Sequence, residues 1–127
     1  QIPTKNEAED IADVISSIPK KINGVSELHV LVIDDQSTDD TVQLAENAGA
    51  DFIIRKTSSP GLAQSFNLGL GFFLAKGYDV LVNTDGDNQY LQEKIPDLIE
   101  PIILSQAESF SSRLAHALAA SRSASNS

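Results

Sequence analysis

Two rhythms of apolar residues alternate along this chain. In residues 7–18 (EAEDIADVISSI) the aliphatic positions Ile11, Val14, Ile15 and Ile18 recur at helical spacing, and acids sit in the first turn, where the helix dipole favours them. Pro19 and the Asn23-Gly24 pair end that pattern. Residues 28–33 (LHVLVI) form a continuous, largely aliphatic run, too short and too apolar for anything but a buried strand. The run ends on Asp34 and Asp35. Ser37 is placed to cap a second helix over 39–47, with Val42, Leu44 and Ala45 inward and Gly49 as its stop. The alternation then repeats: a strand over 51–56 (DFIIRK), a helix over 61–77 and a strand over 79–83 (DVLVN). After an acidic turn, residues 93–104 predict a last helix with Pro96 in its first turn.

Strands alternating with helices through short loops predict an α/β domain with a mostly parallel sheet and flanking helices. Such sheets bind ligands beyond the carboxyl ends of their strands. The acidic positions 34–35 and 85–87 both follow predicted strands, so they are expected to converge on one rim from distant parts of the sequence. The opening residues read as the end of a further strand whose body is lacking, which makes the sheet a truncated one. Residues 1–104 form this domain. From 105 the composition turns to Ser and Ala (SQAESFSSRLAHALAASRSASNS), where Phe110, Leu114, Ala117 and Leu118 fit one face of a helix and the last residues a disordered tail.

A chain of 127 residues, 41% apolar and 21% charged, suits one domain with its own core. No run approaches the roughly 18–20 apolar residues of a membrane span and no leader pattern opens the chain, which sets a soluble, cytoplasmic protein as the expectation. Asp and Glu number 18 against 9 Lys and Arg, a net charge of −9, and no basic stripe with interleaved aromatics occurs. A nucleic-acid partner is therefore disfavoured. With no cysteine and 2 histidines, a bound metal has to be a hard ion held by oxygen, magnesium or manganese.

That charge balance gives weight to residues 80–90 (VLVNTDGDNQY). Setting Asp85 and Asp87 at the mouth of a core strand is costly in an already acidic protein unless a cation sits there. Gly86 allows a tight turn, so both carboxylates can reach one divalent ion, and Gln89 can add a neutral oxygen. Phosphate oxygens of a substrate can take the open positions, and the ion neutralises charge that builds on a departing diphosphate. Each signal alone has an ordinary explanation: a lone D-x-D as a solvated turn, Asp34-Asp35 as a capping loop, Asn6-Glu7 as a helix cap. Their joint placement after successive strands, with the polar loop 3–7 (PTKNE) after the first, favours one functional rim. The apolar helix at 61–77 is read as core packing.

Four blocks, IPTKNEAEDI at 2–11, VLVIDDQSTDDT at 30–41, GLAQSFNLGL at 61–70 and VNTDGDNQY at 82–90, together and in this order resemble the family 2 glycosyltransferases of the Rossmann-like GT-A fold. Within that family the dolichol- and polyprenyl-phosphate sugar transferases are the most similar branch. The resemblance covers nearly all of residues 1–104 and corresponds to the N-terminal, nucleotide-sugar-binding part. It implies transfer of a sugar from a UDP- or GDP-sugar, usually with inversion, to a saccharide hydroxyl or a lipid phosphate. It implies that Pro3, Thr4, Lys5 and Glu7 line the nucleotide, with Asp34 and Asp35 near its base and ribose. Asp85 and Gly86 would meet the diphosphate, and Asp85, Asp87 and Gln89 would hold Mg2+ or Mn2+. Lys5 stands where the family commonly has an aromatic residue, and a lysine there can pair with a phosphate. The family's acceptor-binding half lies beyond the matching blocks, so no catalytic residue is assigned. A lipid-phosphate acceptor implies work at the cytoplasmic face of a membrane, with no span in this chain.

Other classes fit less of the pattern. A receiver domain shares a strand ending in two aspartates, but it leaves the helix before residue 28 unexplained and needs a downstream lysine. A haloacid-dehalogenase-type phosphatase, with Asp85 as nucleophile, would carry its D-x-D after the first strand, whereas here it follows the fourth. A dinucleotide-binding domain needs a glycine-rich first turn, and PTKNEAE has no glycine. The strongest competitor keeps the fold and omits catalysis: a part that binds a nucleotide sugar without transferring it, since transfer needs an acceptor held in line.

Overall fold

The computed structural model describes residues 1–57 and 60–104; the helix and tail expected at 105–127 lie outside the described residues. Three parallel strands, β1 (Ile2–Thr4), β2 (Leu31–Asp34) and β3 (Phe52–Arg55), form a sheet in the order β1-β2-β3. Thr4 lies opposite Asp34, and Asp34 opposite Arg55, so the three strands end level and their carboxyl ends make one rim. Helices α1 (Ile11–Ser17) and α2 (Thr41–Asn47) make the crossovers. Helix α3 (Leu62–Lys76) follows β3, and a short 3-10 turn (Gln92–Lys94) leads into α4 (Ile95–Leu104).

The core is aliphatic, as strands buried on both faces require. Val32, Ile33, Ile11, Val14 and Ile15 have no exposed surface, and Ile2, Ala45 and Ile99 pack in the same cluster as α1. Helices α1, α2 and α4 thus share one face of the sheet. Helix α3 covers the other, where Gly69 lets it sit close: a Cβ there would come within 2.8 Å of Ile33 Cδ1. Of α3, only the line Ser65, Gly69 and Phe73 is buried, while Leu62, Leu68 and Leu74 are exposed. The helix expected to be core is core along one edge.

The fourth strand is a correction. Residues 79–83 do not form a ladder, although they run beside β1 in the parallel sense: Gln1 N donates to Val82 O (2.5 Å) and Thr84 N to Gln1 O (3.0 Å). Gln1, the residue before β1, makes both bonds. The chain therefore passes from β1 to β2 and β3 on one side and returns on the other. The crevice between β1 and residues 80–84 is the switch point at which open α/β sheets take their ligands.

Capping also differs from expectation. Ser37 does not cap α2; its Oγ accepts from Asn6 N (2.9 Å), while Asn6 Oδ1 accepts from Thr38 N (2.8 Å). Nor does Asn6 cap α1, which starts at Ile11. The loops after β1 and β2 clasp each other, and this contact uses up the groups that local spacing assigns to the helices.

Candidate functional site

The rim is built from the segments that follow β1, β2 and β3 and from residues 84–90. Each of three loops turns on one non-glycine residue in left-handed conformation: Asn6 (φ 53°), Gln36 (φ 63°) and Asn88 (φ 63°). Asparagine tolerates this backbone, whereas Gln36 is strained, and strain of this kind collects at functional rims.

Thr4 joins the two halves of the rim. Its carbonyl accepts from Asp35 N (2.8 Å), and its methyl packs on Gly86, where a Cβ would stand 2.7 Å from Thr4 Cγ2 and 3.3 Å from Glu7 Cγ. Gly86 is buried without a left-handed φ, so glycine is required here by close approach rather than by backbone freedom. Asp85 and Asp87 are thereby set against the β1 loop, which is held in turn by Glu7 N donating to Thr41 Oγ1 (2.9 Å). Thr84, just before the turn, is buried and accepts from Gln92 Nε2 (3.0 Å).

The carboxylates in this crevice repel one another. Burial, and then the charge of Asp87, push the Asp85 carboxyl above its ordinary value. Burial, and then Asp87, Asp10, Asp85 and Asp39, do the same to Glu7. Among the described residues no three Asp, Glu or His side chains converge into a self-sufficient metal cage. A pair of mutually repelling carboxylates instead fits a hard divalent ion that keeps other oxygens, such as phosphate, as ligands. Gln89 is exposed, and its contact at the turn is through the backbone, with N donating to Asp87 Oδ1 (3.3 Å).

The Asp34-Asp35 pair divides into two roles. Asp34 is fully buried; its Oδ2 accepts from Ser37 N (3.3 Å) and lies 3.7 Å from Arg55 Nε, while Oδ1 has no hydrogen-bond partner among the described residues. Asp35 accepts from Gly61 N (3.0 Å) and pairs with Lys56 Nζ (3.4 Å). The Gly61 amide chiefly, then Lys56, hold its carboxyl below the usual range, and exposed Lys5 adds a smaller pull. Pro3 is buried within β1 opposite Ile33. Lys56, buried and donating to Gly61 O (2.8 Å), was not among the residues expected at the site. It directly follows β3, so the strand-end rule that picked out the aspartates points to it as well.

These opposite shifts set a pH dependence. Glu7 and Asp85, raised above unfolded values of about 4, bind protons more tightly when folded, so the protein gains stability as pH falls through their folded pKa towards about 4. Asp35, lowered, contributes stability that is present above about pH 4 and lost as pH falls through its folded pKa. Burial lowers the Gln1 amine to about 5, which costs stability over the same range, so the carboxylates are read by difference: relative to a Glu7→Gln, Asp85→Asn variant, the parent's melting temperature is expected to gain as pH falls from neutral towards about 4. A difference between parent and variant that does not change with pH would show that the crevice carboxylates are not pressed together.

An open parallel sheet with an acidic crevice at its switch point defines a nucleotide-type α/β site, here in the GT-A glycosyltransferase fold. The glucosyl-3-phosphoglycerate synthase of Mycobacterium tuberculosis, solved in complex with Mg2+ and uridine diphosphate, superposes with a TM-score of 0.63 and 27% identity, covering 80% of this chain and 37% of that one. The chain belongs to glycosyl transferase family 2, whose family model matches residues 1–114. The undecaprenyl-phosphate mannosyltransferase of Micrococcus luteus is 33% identical over 105 residues, 80% of this chain and 42% of the relative. The polyprenol monophosphomannose synthase of Mycolicibacterium smegmatis is 32% identical over 106 residues, 80% of this chain and 39% of the relative. The chain thus spans about two fifths of the length of these relatives. No helix among the described residues is long and apolar enough to cross a membrane.

Proposed function

We propose that this chain is the donor-binding part of a metal-dependent sugar transferase, taking a UDP- or GDP-sugar in the crevice between β1 and residues 80–84. The observation that carries this reading is the close packing of Gly86 on Thr4 and Glu7, which presses Asp85 and Asp87 into one acidic mouth. Asp85 and Asp87, with Gln89 as a neutral oxygen donor, would hold Mg2+ or Mn2+. That ion would neutralise charge developing on the departing diphosphate. Thr4, Lys5 and Glu7 line the crevice beside Gly86, with Pro3 fixing the strand end beneath them. Asp35, from the next strand end, faces the nucleoside, and buried Asp34 holds the loop under it. In the transfer, the bond from the anomeric carbon to the diphosphate oxygen breaks and a bond to an acceptor oxygen forms. A polyprenyl phosphate is the acceptor proposed, after the relatives' names; its ionised oxygen needs no base, and it would place the reaction at the cytoplasmic face of a membrane. A saccharide hydroxyl is the other acceptor chemistry.

Calorimetric titration with UDP and with GDP, each with and without Mn2+, tests the donor reading. Metal-dependent binding of one nucleotide is expected and names the base. Absence of binding under all four conditions overturns the reading.

A further inference from the structure

Among the described residues β3 is an edge strand, and its sequence is self-complementary: Asp51-Phe52-Ile53-Ile54-Arg55 sets an acid and a base at equal distances from Ile53. The geometry points to an interface between two copies of this chain, in which the β3 strands pair antiparallel about a two-fold axis at Ile53 and join the two sheets into one.

The backbone is set for this pairing. Phe52 N donates to Val30 O (3.1 Å) and Lys56 N to Asp34 O (2.8 Å), so the even-numbered residues of β3 face β2. Backbone groups alternate along a strand, which directs the N–H and C=O of Ile53 and Arg55 outward along the edge. Antiparallel pairing about Ile53 matches these groups. Ile53 would exchange both bonds with Ile53 of the second copy, and Arg55 N would donate to Asp51 O of the second copy at either end. Asp51 N is already given to Val30 O (2.9 Å), so each end carries a single bond.

The side chains agree with the backbone. Residues directly opposite share a face, so Asp51 meets Arg55 of the second copy at both ends and Phe52 meets Ile54. Opposite charges, and an aromatic beside a β-branched residue, are both favoured across strands, and no like charges face each other. Parallel pairing would instead set Asp51 against Asp51 and Arg55 against Arg55. Arg55 is exposed and only its Nε lies 3.7 Å from Asp34 Oδ2, which leaves the rest of the guanidinium for a second carboxylate. Exposed Asp51 is held at the edge because its Oδ2 accepts from Val30 N (2.7 Å). On the α3 face, half-buried Phe52 packs on Phe72 (ring centroids 4.9 Å apart), and Leu68, one turn before Phe72, is exposed. The edge is therefore flanked by apolar surface. Proteins that keep an edge strand single place proline or unmatched charge on it; β3 carries a matched pair.

Sedimentation equilibrium between about 10 µM and about 1 mM is expected to show monomer and dimer in exchange, weakly associated because the contact is small. Ile53→Pro removes an outward N–H and none of the bonds to β2, and is expected to weaken dimerisation at least about 10-fold while the monomer stays folded. Arg55→Glu and Asp51→Arg, each alone, oppose like charges at both ends and are expected to weaken it by a similar factor. An equimolar mixture of those two variants pairs acid with base again and is expected to recover a 1:1 dimer. In the parent, exchange of the Ile53 and Arg55 amide hydrogens is expected to slow as concentration rises, and this decides the matter if a variant fails to fold. A parent that stays monomeric to about 1 mM, or a dimer indifferent to Ile53→Pro, would overturn the proposal. So would a mixture that associates no better than its components, or exchange at these amides that ignores concentration. None of these readouts involves nucleotide, so the outcome is separate from that of the donor reading.

Discussion

Asp87→Asn is expected to weaken metal-dependent binding of a nucleoside diphosphate by about 100-fold or more while leaving the fold intact. Removing one of two carboxylates halves the charge offered to the ion, and a neutral amide is a poor substitute for a hard divalent cation. The fold should tolerate the change because Asp87 acts against it in the absence of metal: its charge raises the carboxyls of both Asp85 and Glu7. Relief of that repulsion is expected to raise the metal-free melting temperature by about 2–4 °C, on the order of 0.5 kcal/mol. The two measurements together distinguish a metal clamp from a solvated turn. A variant that binds nucleotide and Mn2+ as tightly as the parent would dismiss the assignment of Asp87, and a large loss of stability would show that the carboxylate is structural.

Lys56→Met is expected to cost ~2–3 kcal/mol, about 10–20 °C in melting temperature. The lysine side chain is fully buried at the end of β3, and its ammonium stands 3.4 Å from Asp35 Oδ1. Methionine fills the same channel but leaves the Asp35 carboxylate with the Gly61 amide as its strong donor. The cost stays below that of a fully buried pair because 12% of the Asp35 side chain still reaches solvent. Adding Asp35→Asn to this variant removes both charges together and is expected to recover about half of the loss. The deficit should also shrink as pH falls towards about 4, where the unpaired Asp35 carboxyl can take up a proton. If the single and double variants melt alike at neutral pH, the ion pair is not what holds Gly61 and the start of α3 to the end of β2.

Much of the architecture was legible from residue spacing. The aliphatic run before Asp34, the helical recurrence of Ile11, Val14 and Ile15, and the glycines at 49 and 77 mark elements through local rules, and these elements occur within a few residues of where the pattern puts them. Gly49 and Gly77 both take positive φ, the conformation a helix stop requires. Placement of Asp34 and Asp35 at the end of a strand was equally legible, because side chains at strand ends need only chain order to be located, whereas Asp85 and Asp87 follow a segment that forms no ladder. Spacing failed where a residue's partner comes from another segment. Ser37 has the right offset to cap α2, yet its hydroxyl accepts from Asn6, and residues 79–83 have the composition of a strand but form no ladder, bonding to Gln1 beside β1 instead. Lys56 was missed because the pattern ran the strand through residue 56, and its place just beyond β3, with Asp35 and Gly61 around its ammonium, shows only in the fold.

The sequence by itself determined the alternation of strands and helices, the acidic character of the strand ends and the resemblance that led to glycosyl transferase family 2. These depend on local propensity and on the order of residues, which folding does not alter. Only the tertiary structure decided that Gly86 seats against Thr4 and Glu7, and that Asp34 is buried while Asp35 is clasped by Lys56. Close approach, burial and charge coupling arise between segments up to 82 residues apart, and distance along the chain carries no record of them until the sheet brings those segments together.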